Sequence, residues 1–252
     1  MSTAIEIECD GALVIITLND PERRNALTVA MLEQLCRVLD DTARRDDIDA
    51  VLLEGNGPAF CAGFDLGAIV DEPMTLQSLI AGLGEVTRRM RSLPMPIIVA
   101  AHGAAIAGGC ALVSAADMSI IGDRTVAGYP VHRLGVSPAV TLPTLMQAIG
   151  AGAARALVLD GRLHTGAEAH RLGVGTHLVP EEDVRTEARR LADDVMQLGG
   201  AAVRATKHWL NMLDGSQDEE RWSGPVRGSE PLAGGPEAIE RMKAFWSKRR
   251  RD

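Results

Sequence analysis

Two glycine-rich segments carry the densest chemical signal in this chain of 252 residues. Residues 54–66 read EGNGPAFCAGFDL and follow an apolar run, and residues 102–116 read HGAAIAGGCALVSAA and follow another that ends at Ala101. Glycine and alanine at such places let backbone approach a ligand closely, and the free amides of a helix start point outward with the positive end of the macrodipole behind them. Two such loops side by side would make an oxyanion hole. Paired N–H donors stabilise the negative charge that grows on a carbonyl oxygen in acyl transfer or enolate chemistry, and losing one costs roughly 3 to 4 kcal/mol. Tight packing of strand against helix demands the same small residues, so the pattern alone leaves both readings open.

The surrounding elements can be read from periodicity. Ile5, Ile7 and Cys9, then Val14, Ile16 and Leu18, alternate with period two around Gly11 and predict a two-stranded hairpin. Thr28 can cap a helix to about Arg44, with Met31, Leu32, Leu35, Val38 and Leu39 on one face. Strands are predicted at Ala50 to Glu54, Ile97 to Ala101, Met118 to Ile121 and Thr176 to Val179, and a helix from Thr75 to Ser92. Helical signals dominate after Thr141, over Glu181 to Leu198, Ala201 to Leu213 and Glu237 to Arg249, with Gly- and Pro-rich Ser223 to Pro236 predicted as a loop. The order of elements describes an α/β core, residues 1–195, followed by a helical region, residues 196–252.

Composition narrows the partners. A net charge of −8 argues against nucleic-acid binding, which needs clustered positive charge. Gly, Pro and charges interrupt every apolar stretch, so no membrane span is expected, and no basic-then-apolar leader opens the sequence. A cytoplasmic protein is the expectation. Cys9, Cys36, Cys61 and Cys110 are scattered and form no CxxC pair, so neither a metal site nor a disulfide framework is indicated. Cys61 is read as a small apolar filler and Asp65 as a cap for the helix that follows it.

Four segments, ITLNDPERRNALT (16–28), EGNGPAFCAGFDL (54–66), HGAAIAGGCALVSAADMSI (102–120) and HTGAEAHRLGVGTHLVP (164–180), together resemble the successive signatures of the crotonase superfamily of enoyl-CoA hydratases and isomerases. The resemblance implies a crotonase-like (ClpP/crotonase) spiral of ββα units with a C-terminal helical trimerisation region, assembled as a homotrimer or homohexamer. It implies an acyl-CoA substrate, with coenzyme A entering as part of that substrate and no separate cofactor. It places the two oxyanion amides on Phe64 and Gly108. It also puts the coenzyme A moiety against Ala26, Ala62, Asp65 and Leu66, with Arg23 and Arg24 able to meet phosphate oxygens. In the same family a neighbouring subunit's C-terminal region can approach the phosphates, which gives the basic run Lys248 to Arg251 a possible role beside that of a solvated tail.

The chain departs from the family where hydration chemistry is done. Hydratases carry two glutamates that activate water, and the matching positions here hold Ala111 and Val131; an aspartate used by some relatives falls on Ala139. None of these can exchange a proton. His132 and Tyr129, in the same YPVHRLG segment, are the remaining candidates for proton transfer. Residues 135–139, GVSPA, nearly spell a hydrolase nucleophile elbow, but the last glycine is absent and Pro138 has no N–H to give. Three readings stay open: an enzyme working through a thioester enolate, a catalytically silent acyl-CoA-binding protein, and an acyl-CoA decarboxylase or C–C lyase.

Overall fold

The computed structural model describes residues 4–72, 74–229 and 231–249. Strands β1 (Ile5–Asp10) and β2 (Leu13–Leu18) form the predicted hairpin, turning at Gly11, whose φ of 59° suits glycine. Helix α1 (Val29–Ala43) starts where Thr28 accepts the Met31 N–H, at 3.1 Å. There follow β3 (Ala50–Gly55), α2 (Leu66–Asp71), α3 (Thr75–Ser92), β4 (Ile97–Ala101), β5 (Ala104–Ile106), α4 (Gly108–Ala115), β6 (Met118–Gly122) and β7 (Val126–Gly128). The chain continues through α5 (Leu142–Asp160), β8 (Leu163–Thr165), α6 (Gly166–Arg171), β9 (His177–Val179) and α7 (Val184–Met196). Helices α8 (Gly200–Leu213), α9 (Glu219–Ser229) and α10 (Pro236–Arg249) complete it.

From β4 to β7, successive strands alternate between two sheets. The large sheet has the order β1-β2-β3-β4-β6-β9, parallel except for the hairpin, while β5, β7 and β8 make a second, three-stranded sheet. The chain thus places β4 in the large sheet and β5 in the small one before turning into α4, then repeats the step with β6 and β7, and this is the ββα spiral. The short strands of the small sheet escape periodicity, since three residues hold too few alternations to register. Alternate residues of the central strands face opposite layers. Ile16, Leu18, Val51, Leu53, Ile97 and Val99 join a core with Met31, Leu35, Leu79, Leu83 and Met90 of α1 and α3. Leu13, Ala50, Leu52, Ile98, Ala100 and Ile120 pack instead on Val184, Ala188 and Ala192 of α7. Burial on both sides explains why these strands read as unbroken apolar runs.

Three expectations need correction. Ile7 and Cys9 alternate with Ile5 as predicted, yet β1 is an edge strand and both are exposed. The stretch Ser223 to Ser229 is helical, within α9, because Trp222 is buried and its Nε1 donates to the Ser216 carbonyl at 2.8 Å; tertiary burial outweighs the local effect of Gly224 and Pro225. The segment Ala139–Asp160 has mean hydropathy 1.3 and is long and apolar enough, by composition, to cross a membrane. Leucine, valine and alanine supply most of that value, and Gly150, with φ 77° and ψ 157°, breaks the helix midway. Of the basic run at the end, α10 extends through Arg249, and Arg250 and Arg251 lie outside the described residues.

Helix α8 is fastened to the core by a buried cation. Lys207 Nζ donates to Asp117 Oδ2 at 2.6 Å and to the Met95 carbonyl at 3.0 Å, while Asp117 also accepts the Ile97 N–H at 2.8 Å. Burial pulls the lysine pKa below its ordinary value, against the opposing pull of Asp117. Asp117→Ala strands that ammonium among carbonyls alone and should lower the unfolding free energy by about 3 kcal/mol or more in urea titration, with Lys207→Met costing less.

Candidate functional site

The loop after β3 is held between two neighbours by its backbone. On one side Phe60 N–H donates to the His102 carbonyl, Cys61 N–H to Ala104, and Ile106 N–H back to Cys61, so residue 61 bridges to β5 as an extra strand of the small sheet. On the other, Ala62 N–H donates to the Arg24 carbonyl, Leu27 N–H to Gly63 and Asp65 N–H to Leu27. Among the described residues, Phe64 N–H and Gly108 N–H donate to no protein acceptor. A side chain on Gly108 would lie 2.7 Å from Leu27 Cδ1, 3.7 Å from the Phe64 ring and 3.8 Å from Gly63 Cα, and one on Gly109 would strike the Cys61 carbonyl at 2.4 Å. The two glycine segments therefore lie against each other, and the glycines are needed for that contact.

The amide of Gly108 is aimed by a strained neighbour. Ala107 has φ 51° and ψ −102°, its N–H donates to the Gly128 carbonyl at 2.8 Å, and its carbonyl accepts from Ala111 at 2.9 Å. A non-glycine residue in that region carries on the order of 1 to 3 kcal/mol of strain, which these bonds enforce. Arg24 and Asn25 are left-handed as well, with φ 55° and 54°. Asn25 is fully buried and explains the turn: its side chain accepts the Asp20 N–H at 2.8 Å and donates to the Asn56 and Ala59 carbonyls at 2.9 and 2.8 Å. It joins the two loops before either meets β5.

A cavity of about 630 Å³ opens over the paired loops. Its rim includes Arg23, Arg24, Ala26, Ala62, Asp65 and Leu66, so the residues that the resemblance assigns to coenzyme A converge there. Arg23 is engaged with Asp20 at 2.6 Å and Asp65 at 3.0 Å, chiefly the hydrogen bond to Asp20 holding its guanidinium pKa above the ordinary value. Asp65 also caps α2 by accepting the Gly67 N–H at 3.0 Å. Arg24 is exposed and, among the described residues, has no ion-pair partner. The walls are largely apolar, with Ile69, Leu76, Leu83, Val131, Leu134, Val136 and Val140, and Arg133, exposed and without an ion-pair partner among the described residues, also lines the cavity.

The proton-transfer candidates fall in different places. Tyr129 borders the cavity but is fully buried, and its hydroxyl, close to Cys110, Ser114 and Thr141, makes no hydrogen bond of ordinary geometry among the described residues. Burial, with Cys110 adding to it, keeps the phenol pKa well above its ordinary value, so it stays protonated. His132 is exposed and is absent from the cavity lining, because the helical turn Pro130–Leu134 directs Val131 inward and its neighbour away. Ala111 is buried in α4, away from that lining. Asp65 is the sole carboxylate lining the cavity among the described residues, and it is already paired. Burial pushes the thiols of Cys61 and Cys110 up to about 12 and about 11. Sequence reasoning missed the contribution of α10, whose Met242 and Phe245 line the cavity; with Ala238 they share one face at helical spacing, a signal that was present but reads as ordinary core.

A fold of this spiral type with glycine loops meeting under an apolar cavity is the architecture of the enoyl-CoA hydratases and isomerases. The family model for enoyl-CoA hydratase/isomerase matches residues 8–223, and the chain belongs to that family. A Thermus thermophilus protein provisionally named an enoyl-CoA hydratase is 32% identical over 243 residues, covering 95% of this chain and 96% of the relative. The crystal structure of an enoyl-CoA hydratase/isomerase from Xanthobacter autotrophicus Py2 superposes with a TM-score of 0.87 at 28% identity, over 100% of this chain and 94% of that one. An enoyl-CoA hydratase/isomerase from Mycobacterium paratuberculosis superposes at 0.88 with 24% identity, over 97% and 99%, which speaks for the fold.

Three measurements follow from this geometry. Asn25→Ala leaves two carbonyls and an amide unsatisfied in the interior and should lower stability by about 2 to 4 kcal/mol in denaturant titration. Ala107→Gly relieves the left-handed strain and should raise stability by about 1 kcal/mol after the entropic cost of glycine. In the native protein at pH 8, a thiol reagent should modify exposed Cys9 and spare Cys61 and Cys110 until denaturant is added.

Proposed function

We propose that this protein binds acyl-CoA thioesters and polarises the thioester carbonyl between the Phe64 and Gly108 amides, so that an enolate can form at the adjacent carbon. The observation that carries this reading is the pair of uncommitted amides at the wall of an apolar cavity in a member of this family. Arg24, without an ion-pair partner among the described residues, is a cation for a coenzyme A phosphate, whereas Arg23 serves to hold the loop through Asp20 and Asp65. Ala26, Ala62 and Leu66 supply the small and apolar surface beside it.

The same cavity disfavours hydration. Among the described residues the walls offer no free base, since Asp65, the one lining carboxylate, is paired and His132 lies outside the lining. Loss of a group from the substrate generates an enolate without such a base. In a decarboxylation the bond between the α carbon and the carboxylate breaks, its electron pair enters the thioester enolate, and CO₂ leaves. The α carbon then takes a proton from water. A silent acyl-CoA binder is the competing reading, favoured by the same lack of a base. The stripe of Trp209, Leu210 and Leu213 on α8, 61%, 60% and 82% exposed, supports a homo-oligomer such as a trimer.

Incubation with crotonyl-CoA, a 3-enoyl-CoA and malonyl-type CoA esters, followed by mass analysis, should show no hydration and should show loss of CO₂ from a malonyl-type ester. Tight binding with no product from any ester would establish the silent binder, and no binding would overturn the coenzyme A reading. Gly108→Pro removes one amide donor and should slow turnover by roughly 10² to 10³, with His132→Ala leaving the rate unchanged. Sedimentation should give a mass that is a multiple of 26.8 kDa, and Leu213→Glu should shift it toward that value.

A further inference from the structure

The apolar end of the cavity is closed by the last helix of the same chain. Helix α10 packs on α2 and on the turn Pro130–Leu134, the two walls that flank Phe64 and Gly108. Its first turn rests on Gly135, where an added side chain would meet Ala238 Cα at 2.9 Å, and Ala238 is itself buried. The preceding segment is held by Gln77, whose Nε2 donates to the Ala233 carbonyl at 3.3 Å. One turn beyond Ala238, Met242 is only 3% exposed, belongs to the core cluster, and lines the cavity, while Phe245 lines it from a position 41% open to solvent.

Arg23, Arg24 and Asp65 stand on the opening loops, Arg133 on the turn Pro130–Leu134, and Ile69, Leu76, Leu83, Val136 and Val140 supply apolar lining. A thioester seated on the Phe64 and Gly108 amides sends its coenzyme A moiety toward Arg23 and Arg24 and its acyl chain toward α10. Resting on the acyl-CoA reading above, we infer that Met242 is the residue that limits the length of an aliphatic acyl chain in this cavity. An unbranched thioether fills such a space and also adapts to it, which sets a soft limit.

The test uses the full chain and a series of saturated esters, from acetyl-CoA through butanoyl-, octanoyl- and dodecanoyl-CoA, titrated by calorimetry. In the wild type, affinity should rise with chain length to a maximum and then fall. Met242→Ala should move the maximum to a longer chain and improve binding of the longer esters by about tenfold, while Met242→Phe should move it to a shorter one. The phenylalanine variant keeps the space filled, so it decides the matter even where the alanine variant folds poorly. An unchanged order of affinities in both variants would overturn the inference while leaving acyl-CoA binding intact. Failure of coenzyme A and of every ester to bind the wild type would instead remove the reading on which it rests.

Discussion

Everything at the site depends on how the short segment from Phe60 to Asp65 spends its backbone. Wedged between the 24–27 turn and β5, it commits the amides of Phe60, Cys61, Ala62 and Asp65 to neighbouring carbonyls. Buried amides ordinarily must all be paired, so one left open at a cavity wall is a departure that the rest of the loop has to sustain. Close approach is what sustains it. Gly109 lets α4 press on the Cys61 carbonyl, Gly103 has φ 63° and would strike the Pro58 carbonyl with any side chain, and Asn25 ties the third element in with three hydrogen bonds.

The energetics run from the core outward. Two apolar layers on either face of a mostly parallel sheet fix the strand ends, and the strand ends fix the loops. That rigidity is what allows Ala107 to be held in a conformation alanine avoids, and the conformation in turn orients the peptide that carries the Gly108 N–H. The charged pair of Lys207 and Asp117 extends the same scheme to α8, tying a late helix to the start of β4 rather than leaving it as a separate lobe. Helix α10 goes further and becomes part of the cavity.

What the cavity contains matters less for its function than which groups it lacks. A pair of amide donors lowers the energy of an enolate whatever generates it, whereas water addition needs a carboxylate at a defined place. Val131 presents methyl groups there, and Tyr129 turns its hydroxyl into a protected corner beside Cys110 and Ser114. Arginines at the opening and on the turn Pro130–Leu134 border a cavity whose other lining is largely apolar.

Much of this was legible in the sequence. The long strands, α1 with its Thr28 cap, α3, and the two glycine segments follow from periodicity and local backbone preference, because those signals depend on neighbours along the chain. Tertiary structure alone decided the rest. Three-residue strands such as β5 and β7 owe their existence to the partners they pair with, and Trp222 stabilises a helix through residues that locally discourage one. That His132 turns outward while Val131 lines the cavity depends on the sense of one helical turn. The role of Asn25, and the arrival of Met242 more than a hundred residues after the loops it covers, depend on contacts between segments remote in sequence, which no local pattern can specify.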